Sequence, residues 1–162
     1  MRVIPIAYAY DDLKQMILQV KASCYPTHNN AEAITAACAV ASAVRLALDG
    51  QNKEEIKKYI EKHYYRLSVP LAKIKETHVF DSRASYSVPP AIIAFLESKD
   101  YESAVRNAVS LGGDADTQAC IAGGIAEAYY HKIPDSIADF CDSRIDITIK
   151  KTIREFNKAF VK

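Results

Sequence analysis

Several features that announce a specialised environment are missing from this sequence. The four cysteines, Cys24, Cys38, Cys120 and Cys141, include no C-x-x-C pair, which removes the common zinc and dithiol spacings. Cys38 and Cys120 lie in alanine-rich stretches, so buried, reduced thiols and a cytoplasmic location are expected. No apolar run approaches the roughly 20 residues that span a bilayer. The apolar start Met1–Ala9 is cut short by Asp11 and Asp12, and it lacks the long hydrophobic region and cleavage site of a secretion signal. A formal net charge of +1 gives no electrostatic reason for contact with nucleic acid or an anionic membrane. There is no Gly/Ser linker, internal repeat or apolar–polar alternation of the strand type. A Ser/His/Asp nucleophile pattern and a G-x-G-x-x-G loop are also absent.

What remains is ordinary globular material: 162 residues, 49% hydrophobic and 25% charged, enough to bury a core. Helical periodicity dominates, and the expectation is one all-α domain over residues 1–162, a layered, orthogonal multi-helix bundle. Asp11 and Asp12 cap a helix to Ser23, with Leu13, Met16, Ile17 and Val20 on its apolar face. A loop at Cys24–Asn29, containing Pro26, leads into an alanine-rich helix from Asn30 to Asp49, closed by Gly50. Asn52 caps the next helix, to about His63. Tyr64 to Tyr86 is less regular, with a short turn after Pro70 and an extended Val79-Phe80. Ser87 is expected to cap a helix that begins Val88-Pro89-Pro90, where first-turn prolines are tolerated. Asp100 caps Tyr101–Leu111, and the last helices span about Pro134–Cys141 and Asp146–Val161.

The most informative stretch is Gly112-Gly113-Asp114-Ala115-Asp116-Thr117. It sets two carboxylates and a hydroxyl on a glycine turn, and no Lys or Arg occurs between Leu111 and Ile125. Ala115, Ala119, Ile121, Ala122, Ile125 and Ala126 follow at helical spacing, which puts Asp114 at the N-cap with Asp116 and Thr117 in the first turn. Gly112 and Gly113 permit a tight, left-handed turn and close approach of a ligand. Two readings follow from these residues alone: an N-cap with a first-turn acid favoured by the helix dipole, or oxygen ligands for a hard cation such as Mg²⁺ or Ca²⁺.

His28, in a loop at a helix start, either caps that helix or donates to a phosphate. Tyr86 offers a face that stacks a base or simply packs. His63, His78 and His131 have no acid or cysteine at ligand spacing and receive a structural reading only.

Five stretches taken in order, Met1-Arg2-Val3-Ile4-Pro5, Thr27-His28-Asn29-Asn30, Ser87-Val88-Pro89-Pro90-Ala91, Asn107–Leu111 running into the acidic motif, and Ala122-Gly123 to Ile133-Pro134, resemble the C-terminal half of the ADP-ribosylglycohydrolase family. The resemblance implies a Mg²⁺-dependent hydrolase (two ions in the family, with Mn²⁺ as a substitute) that cleaves the glycosidic bond of ADP-ribosylated proteins or small molecules. It assigns metal-ligand roles to Asp114, Asp116 and Thr117, places His28 by the diphosphate and Tyr86 by the adenosine, and adds Gly113 to the substrate-binding set. It assigns no catalytic residue, because the family's Thr-Asp-Asp motif and water-handling glutamate have no counterpart in this sequence. The expectation is a fold truncated at its N-terminus, inactive alone, with the other half supplied in trans and apolar surface exposed at Val3, Ile4 and Ile6. A non-catalytic degenerate or split-gene module, binding an ADP-ribose-like ligand or a partner protein, is the alternative.

Overall fold

The computed structural model describes residues 1–81 and 83–161. Their regular elements are ten helices: α1 (Ile4–Ala9), α2 (Leu13–His28), α3 (Ala31–Leu48), α4 (Lys53–His63), α5 (Leu71–Thr77), α6 (Ala84–Leu96), α7 (Tyr101–Val109), α8 (Ala115–Tyr130), α9 (Asp135–Arg144) and α10 (Ile147–Phe160). The fold is all-α, as composition and periodicity predict.

The centre is built from α3 and α8, both rich in small residues. α3 packs against α1, α2, α4, α6 and α8, and α8 packs against α3, α6 and α7. Alanine permits this crowding, since a methyl group fills a helix groove without holding the axes apart. Ala36, Ala39, Ala41, Ala43 and Ala47 of α3 and Ala122 and Ala126 of α8 are all buried. Larger side chains fill the remaining space: Met16 and Val20 from α2, Ile56 and Ile60 from α4, Ile92 and Phe95 from α6, Ile121 and Ile125 from α8. Gly124 allows one unusually close contact, because a Cβ there would lie 2.5 Å from Ile4 Cδ1. That contact seats α1 on α8. α3 is long and apolar enough to cross a membrane by length and composition, which the sequence reading did not anticipate. Ten of its residues are buried in the protein core.

The expected caps are largely present. Asp12 accepts the Gln15 N–H at 2.8 Å, and Asn52 and Glu55 form a reciprocal box, as do Asp100 and Ser103. Asp146, which the sequence reading gave only as a helix start, also caps by accepting the Thr148 N–H.

Several boundaries differ from expectation, each for a packing reason. The expected loop at Cys24–Asn29 is helical to His28. Cys24 is buried one turn beyond Val20, so the apolar stripe runs on and offsets the hydrogen bond that Pro26 cannot donate. α6 begins at Ala84, so Ser87 is a buried interior residue and not the cap. The cap comes from another helix: the Glu32 carboxylate of α3 accepts the Ser85 N–H at 3.1 Å and the Ser85 hydroxyl at 2.6 Å, and those bonds hold the Glu32 carboxyl below its ordinary range. Pro89 and Pro90 therefore sit deeper in the helix than its first turn. Cys120 is exposed, unlike buried Cys24 and Cys38, because it lies on the outer face of α8. The expected apolar exposure near the N-terminus also fails, since Val3 is buried and Ile4 and Ile6 pack against the core.

α9 and α10 stand apart, as neither contains a buried residue. Ile149, Ile153, Phe156 and Phe160 nevertheless fall at helical spacing along α10, and Phe140 and Ile147 are 60% and 71% exposed. Burial predicts mutational costs of different size for the two regions. Ile125→Ala should cost about 3 kcal/mol, as methylene loss from a packed core does. Ile149→Ala should cost about 0.5 kcal/mol or less. Urea denaturation followed by circular dichroism checks both.

Candidate functional site

The first turns of α3, α6 and α8 and the last turn of α2 meet around one open cavity of about 520 Å³, within the range of small-molecule sites. Arg2, His28, Glu32, Arg83, Asp114 and Thr117 line it, above an apolar floor that includes Ala36, Val40 and Ile121. Three helix N-termini at one place put partial positive charge and first-turn amides along the wall.

The acidic turn is shaped by its glycines. Gly112 and Gly113 both have left-handed backbones, with φ of 72° and 64°, a pair of conformations that residues with a Cβ adopt only under strain. Asp114 occupies the N-cap position of α8, as expected, but its side chain makes no cap hydrogen bond. The Asp116 carboxyl, in the first turn of the same helix, accepts the Thr117 N–H at 2.8 Å. Asp116 is held below the ordinary carboxylate range, first by the neighbouring Asp114 side chain and then by that backbone N–H. Two carboxyls two residues apart on one helix turn, with no Lys or Arg between Leu111 and Ile125, are suited to a shared cation. The donors are oxygen only, which suits Mg²⁺ or Mn²⁺. Two carboxylates and a hydroxyl fit part of such a shell, and among the described residues no cluster of three His, Cys, Asp or Glu side chains could hold a metal ion.

On the opposite wall, Arg2 donates to the Thr27 hydroxyl and reaches the Ser23 carbonyl at 3.4 Å. Thr27 Oγ1 lies 2.8 Å from His28 Nδ1. Arg2 Nη2 also faces Nδ1, at 3.5 Å, and a guanidinium only donates, so Nδ1 serves as the acceptor and the ring hydrogen sits on Nε2. Sequence reasoning missed Arg2, although Met1-Arg2-Val3-Ile4-Pro5 stood among the quoted motifs. It also missed Arg83, which forks onto Asp81 with a shortest contact of 2.7 Å and stacks 4.4 Å from the centre of the Tyr86 ring. Charge pairing across two residues was the available signal.

The structure thus brings His28, Asp114 and Thr117 onto one cavity, with Asp116 exposed beside them. Tyr86 lies apart, in an adjacent pocket of about 300 Å³, and reaches this cavity's rim only through Arg83. Gly113 does not open toward the cavity, because a Cβ there would meet His78 Nε2 at 3.1 Å and Val79 O at 3.4 Å. Its missing side chain makes room for an imidazole.

Comparison with known proteins places this geometry. The chain is 28% identical over 211 residues to the ADP-ribosylhydrolase ARH3 of Bos taurus, covering 98% of this chain and 57% of that protein. The Homo sapiens ARH3 gives 27% over 209 residues, covering 98% and 58%. A protein of Archaeoglobus fulgidus is 29% identical over 153 residues, covering 83% of this chain and 50% of its own length. The chain therefore spans about half the length of the curated relatives it matches. A family model for ADP-ribosylglycohydrolase matches residues 1–161, and the chain belongs to that family.

Proposed function

We propose that this chain forms one wall of a Mg²⁺-dependent site that hydrolyses the glycosidic bond of ADP-ribosylated proteins or small molecules. The observation that carries this reading is the meeting, around one cavity, of Asp114 and Thr117, with Asp116 exposed beside them, and a rim of Arg2, His28 and Arg83 at three helix N-termini. The rim suits a diphosphate: His28 donates from Nε2, and Arg2 lies beside it. Arg83 and the Tyr86 ring beneath it suit the adenosine end, where a planar cation and an aromatic face both favour a base. Asp114, Asp116 and Thr117 then lie toward the distal ribose, where they would hold Mg²⁺ or Mn²⁺. Bound there, the ions would orient ribose hydroxyls and lower the pKa of a coordinated water.

The remaining donors and the glutamate that handles water are assigned to a segment outside residues 1–162, carried by the same polypeptide or another. Four free cysteines support a reducing, cytoplasmic setting. A non-catalytic module that binds ADP-ribose or a partner protein is the second reading, favoured by the small number of donors at the acidic turn.

Three outcomes test these statements. Calorimetry should detect weak Mn²⁺ binding, with a Kd of about 1 mM because water fills most of the shell. Asp116→Ala should weaken it at least about tenfold, or ~1.4 kcal/mol; equal signals from the two proteins would remove Asp116 from the site. ADP-ribose should bind more tightly than AMP, and His28→Ala should reduce ADP-ribose binding more than adenosine binding. The purified chain should release no ADP-ribose from a modified substrate, and turnover should appear on mixing with a polypeptide that carries the Thr-Asp-Asp and glutamate segments, but not with the Asp114→Asn chain. Hydrolysis by the chain alone would overturn the assignment of missing donors.

A further inference from the structure

Gln118 is the most completely buried polar side chain next to the acidic turn, with no exposed surface. It lies one residue beyond Thr117 in α8, and its backbone N–H donates to the Asp114 carbonyl at 3.1 Å. The side chain turns back to the other side of the glycines. Nε2 donates to the Gly112 carbonyl at 3.1 Å and lies 3.1 Å from His78 Nε2. Gln118 thus grips the carbonyls before and after Gly113, the residue whose left-handed backbone aims the chain into Asp114.

The amide orientation is fixed by its neighbours. A flipped Gln118 would set Oε1 against the Gly112 carbonyl oxygen, an acceptor facing an acceptor. The observed orientation leaves Oε1 buried without a hydrogen-bond partner, a cost that a merely space-filling residue would not incur. An apolar side chain of similar volume would fill the same space without it. His78 Nε2 must accept, which places the ring hydrogen on Nδ1. The imidazole also covers Gly113, occupying the space a Cβ would take.

We propose that Gln118 is a positioning residue for the Asp114–Asp116 pair, and that His78 is its partner from the α5–α6 segment. The pair locks the two left-handed glycines and holds the segment bearing Asp81 and Arg83 in register with the acidic turn. The metal-binding part of the test rests on the function proposed above; the backbone part does not.

The experiment compares wild type, Gln118→Met, which keeps volume but loses both donors, His78→Phe, which keeps a ring over Gly113 but loses the acceptor, and the double variant. Backbone amide exchange of residues 112–117, measured against residues 121–126 of the same helix, reads the brace directly. Mn²⁺ affinity reads its consequence. Gln118→Met should speed exchange at 112–117 about tenfold, the effect of losing one or two modest hydrogen bonds, and leave 121–126 unchanged. Mn²⁺ binding should weaken by a similar factor, His78→Phe should give a smaller change in both, and the double variant should match Gln118→Met. Wild-type exchange at 112–117 in Gln118→Met overturns the proposal, whatever the metal does. Exchange accelerated in Gln118→Met, with neither wild type nor variant binding Mn²⁺, upholds the brace and defeats the metal reading instead.

Discussion

The close packing of α3 against α8 is the constraint on which the rest of the molecule depends. It is possible because alanines are buried along both helices, and it brings the start of each helix to the same cavity. A bulkier pair of helices would separate Glu32 from the α6 N-terminus and His28 from Asp114. Large apolar side chains from α2, α4 and α6 fill the flanks of this contact, so the energy of burial is gathered around a thin central seam.

The polar chemistry sits at the end of that seam because helix ends are where backbone groups lack partners. Each first turn solves the problem differently. α3 uses its own Asn30, which accepts the Ala33 N–H. α6 borrows Glu32 from α3. α8 leaves the Asp114 carboxyl without a cap hydrogen bond to its own helix. A residue type that usually stabilises a helix start is thereby available for other work. This difference among three neighbouring caps separates the acidic turn from ordinary capping more clearly than the motif alone.

Much of this was legible in the sequence, because helix spacing and caps are local. The capping roles of Asp12, Asn52 and Asp100 depend on residues three positions away, and they were read correctly. Ser87 was misread because the true cap of α6 comes from Glu32, 53 residues earlier, which no local pattern reveals. Pro26 suggested a loop, yet burial of Cys24 carried the helix past it. The glycine turn and the N-cap position of Asp114 were evident from order alone. The roles of Arg2 and Arg83 at the rim, and the enclosure of Gly113 by His78, needed the chain folded back on itself.

The lack of buried residues in α9 and α10 has a thermodynamic corollary. The heat-capacity change of unfolding follows the apolar surface newly exposed to water. The 10 and 14 residues of these helices already present most of theirs, so their loss of structure would add little to that quantity. Calorimetry of this protein would register a chain shorter than its 162 residues, because the apolar surface buried on folding lies mainly in α1–α8.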